Sequence, residues 1–198
     1  DGEKKDSAIL KELRECIKSC KNILFEGDNY SEAWAAEAEK RGLPNIKTTP
    51  LALDAITTKK SHLLFTSLNI MNDRELEARH EIYLEKYNKK VEIESSLIEE
   101  LALNQILPAC MRYQTEVMAN LKNAAESGIP KSAMKTQQQI VEILSTHIEG
   151  MYQNIQKMVE ERHKAHQQKS TRETALYLCD KVKPLFLEIR SHADDLEL

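Results

Sequence analysis

The sequence predicts an all-α fold: an elongated antiparallel helical bundle with long helices and a small N-terminal helical lobe. Three features carry this reading. Apolar residues recur at three- and four-residue steps through most of the 198 residues, as they do when one face of a helix is buried. Only five glycines and five prolines interrupt them, most of them at a few corners where a helix has to stop. No stretch alternates apolar and polar residues with the two-residue period of a strand.

The first periodic segment runs from about Ser7 to Leu24. Ile9/Leu10, Leu13, Cys16/Ile17, Cys20 and Ile23/Leu24 form its stripe. The corner "FEGDNYSEAW" follows, Phe25 to Trp34. In it Gly27 reads as a helix stop, Asp28 and Asn29 as the turn, and Ser31 as the N-cap of the next helix. That helix ends at Arg41-Gly42-Leu43-Pro44, a glycine stop followed by a proline. Thr49 as a cap and Pro50 at the first helical position open a short helix near Leu51 to Thr57. A further turn or helix covers Ser61 to Leu68.

From Asp73 no glycine occurs until Gly128 and the only proline is Pro108. Leu76, His80, Tyr83, Tyr87, Val91, Leu97/Ile98, Leu101, Gln105, Tyr113, Val117 and Leu121 mark one long helix, kinked or broken at Pro108. It would span about 80 Å, more than 198 residues readily cover, so uncovered stripe implies another domain or subunit. After a reversal at Ser127 to Pro130, Met134, Gln137, Val141, Leu144, Ile148, Met151, Ile155, Met158 and Arg162 form a heptad-like seam. Gly150 beside it costs about 1 kcal/mol of helix propensity and points to a close backbone approach. Ser170 and Glu173 read as a capping box. Ala175, Cys179, Val182, Phe186, Ile189, Ala193 and Leu196 line a last helix kinked at Pro184. Residues 1–72 form the lobe and 73–198 the bundle, together one continuous domain.

The composition excludes several function classes. The formal charge of −4 comes without the basic face of a nucleic-acid binder. No apolar run approaches the roughly 18–20 residues that cross a bilayer, and Asp1 to Ser7 hold no signal-peptide core. Neither nucleic acid nor membrane is an expected partner. A start at Asp1 rather than methionine is what a fragment of a larger chain would show. Cys16, Cys20, Cys110 and Cys179 lack C-x-x-C spacing. Cys16 and Cys20, four apart on one face, are expected to pack as small apolar groups, and reduced thiols suggest the cytoplasm.

Candidate chemistry is thin. No glycine-rich phosphate cradle occurs, nor a nucleophile elbow. Two Glu-x-x-His motifs, Glu77-His80 and Glu160-His163, have the spacing of di-iron bundles. Arg162 rather than His163 continues the seam, so His163 falls on its flank, and His163 and His166 are expected on a solvated face. Met134, Met151 and Met158 read as core rather than as an exposed groove.

The residues Ile23 to Ala55, "ILFEGDNYSEAWAAEAEKRGLPNIKTTPLALDA", resemble the region after the catalytic core in type III glutamine synthetases. That family shows I-x-F-x-G-[DN]-x-Y-S-x-E-W, then E-A-E-K-R-G-L-P-N and a T-P-x-A-L-D-A-like step; Ala33 stands here where it carries Glu before Trp. "LNQILPACMRY" (Leu103 to Tyr113) is similar to its Q-I-L-P-A turn, and "VKPLFLEIR" (Val182 to Arg190) to its last helix. The resemblance implies a non-catalytic C-terminal helical domain that braces the core and the subunit contacts. The parent reaction would be ATP-dependent ligation of ammonia to glutamate, with ATP and Mg or Mn bound in the upstream core. It also implies a cytoplasmic homo-oligomer, with the upstream catalytic core of the same polypeptide as partner. No catalytic, cofactor-binding or metal-ligating residue is carried over, and no cofactor is expected in this chain. The alternative is a free-standing helical protein-interaction scaffold that works through the Met134 to Met158 face.

Overall fold

The computed structural model describes residues 4–197; the polar start at residues 1–3 and Leu198 lie outside the described residues. Every regular element among these residues is helical. The chain divides into two compact units after Lys47, and the short helices beyond Thr48 pack on the long ones.

In the first unit, α1 is Lys5–Ser19. It stops five residues before the expected end. The Ser19 hydroxyl donates to the Cys16 carbonyl at 2.8 Å, a side-chain bond that competes with helix propagation, and a 3₁₀ turn over Lys21–Ile23 follows. Gly27 is therefore not the helix stop. A Cβ at Gly27 would lie 2.7 Å from Phe25 Cζ, so the glycine makes room for that ring. α2 is Glu32–Lys40, and the Trp34 N–H donates to the Ser31 hydroxyl that caps it. Gly42 ends it with φ 71°, and the Leu43 N–H reaches back to the Ala38 carbonyl at 2.9 Å, the closure that favours glycine.

The second unit begins with α3, Thr49–Leu53, whose cap position is Thr48 rather than Thr49 and which buries Pro50. A 3₁₀ turn over Asp54–Thr57 leads to α4, Lys59–Ser67. α5 is Asp73–Leu101, opened by a capping box the sequence reading passed over. The Glu75 N–H donates to Asn72, and the Asn72 N–H donates to the Glu75 carboxylate.

The long helix does not break at Pro108. A π-helical turn over Ala102–Ile106 joins α5 to α6, Leu107–Glu126. Proline has no N–H to give and its ring crowds the carbonyl four residues back. The π turn shifts the bonding by one residue, so the Leu107 N–H donates to the Ala102 carbonyl. The same device recurs at Pro184. A π turn over Leu178–Val182 joins α8, Thr171–Tyr177, to α9, Lys183–Leu196.

Between these lies α7, Lys135–Ala165, entered through a 3₁₀ turn over Lys131–Met134. The two long hairpins are antiparallel, as side-chain bonds show. Arg162 of α7 meets Glu99 of α5, while Ser145 meets Gln114 of α6. Tyr177 meets Glu161, while His192 meets His147. Partners climb one helix as they descend the other.

The core gathers where α7 crosses both π turns: Val91, Ala102, Leu107, Met151, Ile155, Met158, Leu178, Val182, Leu185 and Ile189 are all buried. Of the seam read from Met134 to Met158, Met134, Leu144, Met151, Ile155 and Met158 are buried, Val141 and Ile148 half-buried, and Gln137 exposed. On α5 the buried face runs through Leu76, Leu84, Asn88, Val91 and Ser95. Tyr83, Leu97 and Leu101, expected on that face, are exposed.

Candidate functional site

The corner most distinctive in the sequence is a folded-back turn. The Tyr30 N–H donates to Asp28 Oδ1 at 2.9 Å and the Ser31 hydroxyl to the Asp28 carbonyl at 2.7 Å. This is the local side-chain pairing that lets aspartate initiate a turn. The Phe25 and Trp34 rings lie 4.3 Å apart, tilted by 31°, and the Arg41 guanidinium sits 5.7 Å from the Trp34 centroid. Arg41 also pairs with Glu37 at 2.8 Å and donates to the Leu24 carbonyl. One arginine thereby ties the end of α2 to the chain that enters the corner.

In the second unit the polar convergences are staples between helices. Arg172, at the start of α8, clasps Asp54 with two bonds of 2.8 and 2.6 Å. His80 Nε2 of α5 stands 3.4 Å from the same carboxylate. Hydrogen bonding from Arg172 holds the Asp54 carboxyl below the usual carboxylate range, against the opposing effect of burial. Arg162 enters the core side of α5, donating to Glu99 at 2.6 Å and to the Ser95 and Ser96 hydroxyls at 3.2 Å. The Tyr177 hydroxyl donates to Glu161 at 2.6 Å. That bond is the first cause lowering the Glu161 carboxyl and raising the Tyr177 hydroxyl.

The two Glu-x-x-His motifs do not form a site. Glu77 and Glu160 are exposed, Glu160 pairs with Lys164 at 2.8 Å, and His80 turns to Asp54. His163 and His166 are exposed, as expected of a solvated face. All four cysteines are free thiols. Cys16 and Cys20 are exposed rather than packed, as is the rest of α1, which buries no residue. No group of three or more His, Cys, Asp or Glu side chains among the described residues could hold a metal ion. The positive-φ glycines, Gly42 and Gly128, follow the ends of helices and do not precede helix starts, so they build no phosphate cradle. No helix among the described residues is long and apolar enough to cross a membrane.

What the chain does present is apolar surface on regular helices. α1 buries no residue. Ile9, Leu10, Leu13 and Ile17 are 46, 54, 53 and 57 % exposed along one stripe. On α5, Ile93, Leu97 and Leu101 stand exposed at four-residue steps. Scattered apolar residues are normal on a surface, but contiguous stripes mark interaction faces. The sequence reading foresaw uncovered stripe on the long helix, yet missed that α1 would be bare along its length.

Residues 8–125 match the family model for the glutamine synthetase C-terminal domain. The chain is 35 % identical over 201 residues to a glutamine synthetase of Bacteroides fragilis (strain YCH46), covering 100 % of this chain and 28 % of that protein. It is 30 % identical over 200 residues to a type-3 glutamine synthetase of Dictyostelium discoideum, covering 98 % and 27 %. A glutamine synthetase of Butyrivibrio fibrisolvens is 29 % identical over 206 residues, with 99 % and 28 % covered. The chain therefore spans little more than a quarter of the length of these relatives.

Proposed function

Because the chain belongs to the family of glutamine synthetase C-terminal domains, we propose that it braces the catalytic core and the subunit contacts of a type III glutamine synthetase without itself carrying the chemistry. The parent reaction on this reading is the ATP-dependent ligation of ammonia to glutamate, with ATP and Mg or Mn held by a core upstream in the same polypeptide. The parent is a cytoplasmic homo-oligomer.

One observation carries the reading. α1 is a regular amphipathic helix that buries no residue, and its apolar stripe of Ile9, Leu10, Leu13 and Ile17 is exposed. Fully burying one leucine or isoleucine side chain is worth about 1.5–3 kcal/mol, so four of them in a row favour a covering surface. The polar clusters of the second unit support the same view, since Arg172 with Asp54, Arg162 with Glu99 and Tyr177 with Glu161 each tie one helical element to another. On the Met134 to Met158 face, on which a free-standing scaffold would rely, Met134, Leu144, Met151, Ile155 and Met158 are already buried.

Leu13→Glu combined with Ile17→Glu tests the reading. In this chain alone the pair should shift stability by no more than about 0.5 kcal/mol each, as for open surface. In the complete protein it should break up the assembly or lower its Tm, as measured by analytical ultracentrifugation and calorimetry. A complete protein indifferent to both charges contradicts the proposal.

A further inference from the structure

α7 and α9 meet through a pair of histidines that no staple described above uses. His147 Nδ1 and His192 Nδ1 face each other at 3.1 Å. The rings meet edge to face, with centroids 5.3 Å apart and planes at 69°. Asp195, three residues beyond His192 and so on the same helix face, brings Oδ2 within 3.5 Å of His147 Nδ1.

The backbone makes room for this arrangement. Gly150 lies one turn from His147, and a Cβ there would come within 2.5 Å of His192 Cε1 and 2.7 Å of Nε2. A glycine inside a long helix costs about 1 kcal/mol against alanine, and here its missing side chain is the space that seats the His192 ring.

We propose that His147 and His192 form a two-imidazole chelate for a borderline divalent transition metal such as Zn²⁺ or Cu²⁺, clamping the C-terminal helix to α7. Metal–imidazole bonds of about 2.0–2.1 Å place two nitrogens roughly 2.9 Å apart at a right angle and roughly 3.3 Å apart in a tetrahedron. The observed 3.1 Å lies between the two. Imidazole pairs select Zn²⁺, Cu²⁺ and Ni²⁺, whereas Mg²⁺ takes oxygen ligands. This site therefore differs in kind from the Mg or Mn chemistry expected of an upstream core. The described residues hold no three-residue metal set, here or elsewhere, so the two imidazoles are the protein's ligands and water fills the remaining positions. The Asp195 carboxylate, half exposed, stands beside them as an acceptor for that water. Without metal, one ring donates its Nδ1–H to the other. On binding, that proton passes through solvent to the same ring's Nε2, and both Nδ1 lone pairs go to the metal with no net proton released.

The test is titration of the metal-stripped protein with ZnSO₄, MgSO₄ and CuSO₄, followed by calorimetry, with electron paramagnetic resonance for Cu²⁺. One Zn²⁺ per chain should bind, and at a hundredfold excess over Kd the Tm should rise by roughly 5–10 °C. Mg²⁺ should have no effect, and the Cu²⁺ spectrum should show two coordinated nitrogens. H147Q and H192Q should each abolish the Tm rise. G150A, which displaces the His192 ring while retaining both histidines, should weaken binding about tenfold or more. H163Q combined with H166Q, on the exposed face, should leave binding unchanged. No Zn²⁺-dependent Tm rise, or a rise that survives H147Q and disappears with H163Q/H166Q, overturns the proposal.

Discussion

Asp54 shows how a family signature can be structural. It sits in the T-P-L-A-L-D-A step, ends α3, and receives Arg172 from α8 and His80 from α5 at one carboxylate. Its folded carboxyl titrates below the usual range, with Arg172 the leading cause. The sign of the linkage follows. A depressed folded value contributes stability above the unfolded carboxylate range, near pH 4, and that contribution is lost as pH falls through the folded value. Asp54→Asn should therefore cost stability at pH 7, about 1 kcal/mol for a partly exposed pair, and should flatten the decline below pH 4. Urea midpoints measured from pH 7 to pH 2.5 check this. Parallel wild-type and variant curves would mean that Asp54 is not held by Arg172 in solution. The sequence marked this aspartate only as part of a resemblance. Its partner lies 118 residues away, and no local pattern announces such a pairing.

At the scale of the element, legibility followed the chemistry of each face. The seam of α7 was readable because its inward positions are apolar almost throughout, and Met151, Ile155 and Met158 are fully buried. α5 was misread because its buried face includes Asn88 and Ser95. Asn88 donates to the Thr171 carbonyl at 3.0 Å and Ser95 accepts from Arg162 at 3.2 Å. A polar residue is tolerated inside when a partner reaches it, and periodicity cannot see the partner. The prolines at positions 108 and 184 were readable as disturbances, but the π turn as the remedy was not, since the same clash can also break a helix. Arg162 gives the quantitative check on α5 against α7. Arg162→Leu strands Glu99 and withdraws a donor from buried Ser95, and should cost about 2–3 kcal/mol in urea denaturation. Adding Glu99→Leu should recover a large part of that loss. A single variant within about 0.5 kcal/mol of wild type would remove Arg162 from the determinants of the α5–α7 interface.

Across the whole molecule, the core and the barest helix lie in different units. Buried apolar residues concentrate in the second unit, around the two π turns, whereas α1 buries none. Chain-wide periodicity predicted both as helices but could not say which stripe would be covered, because covering depends on partners outside the pattern. The expectation that Cys16 and Cys20 would pack now becomes a probe, since Cys16 on α1 and Cys20 just past its end are both exposed. The measurement is their rate of alkylation, read by mass spectrometry, in this chain alone and in the complete protein. The bracing account predicts fast modification of both in the isolated chain and strong protection in the complete protein. Equal rates in the two would contradict it.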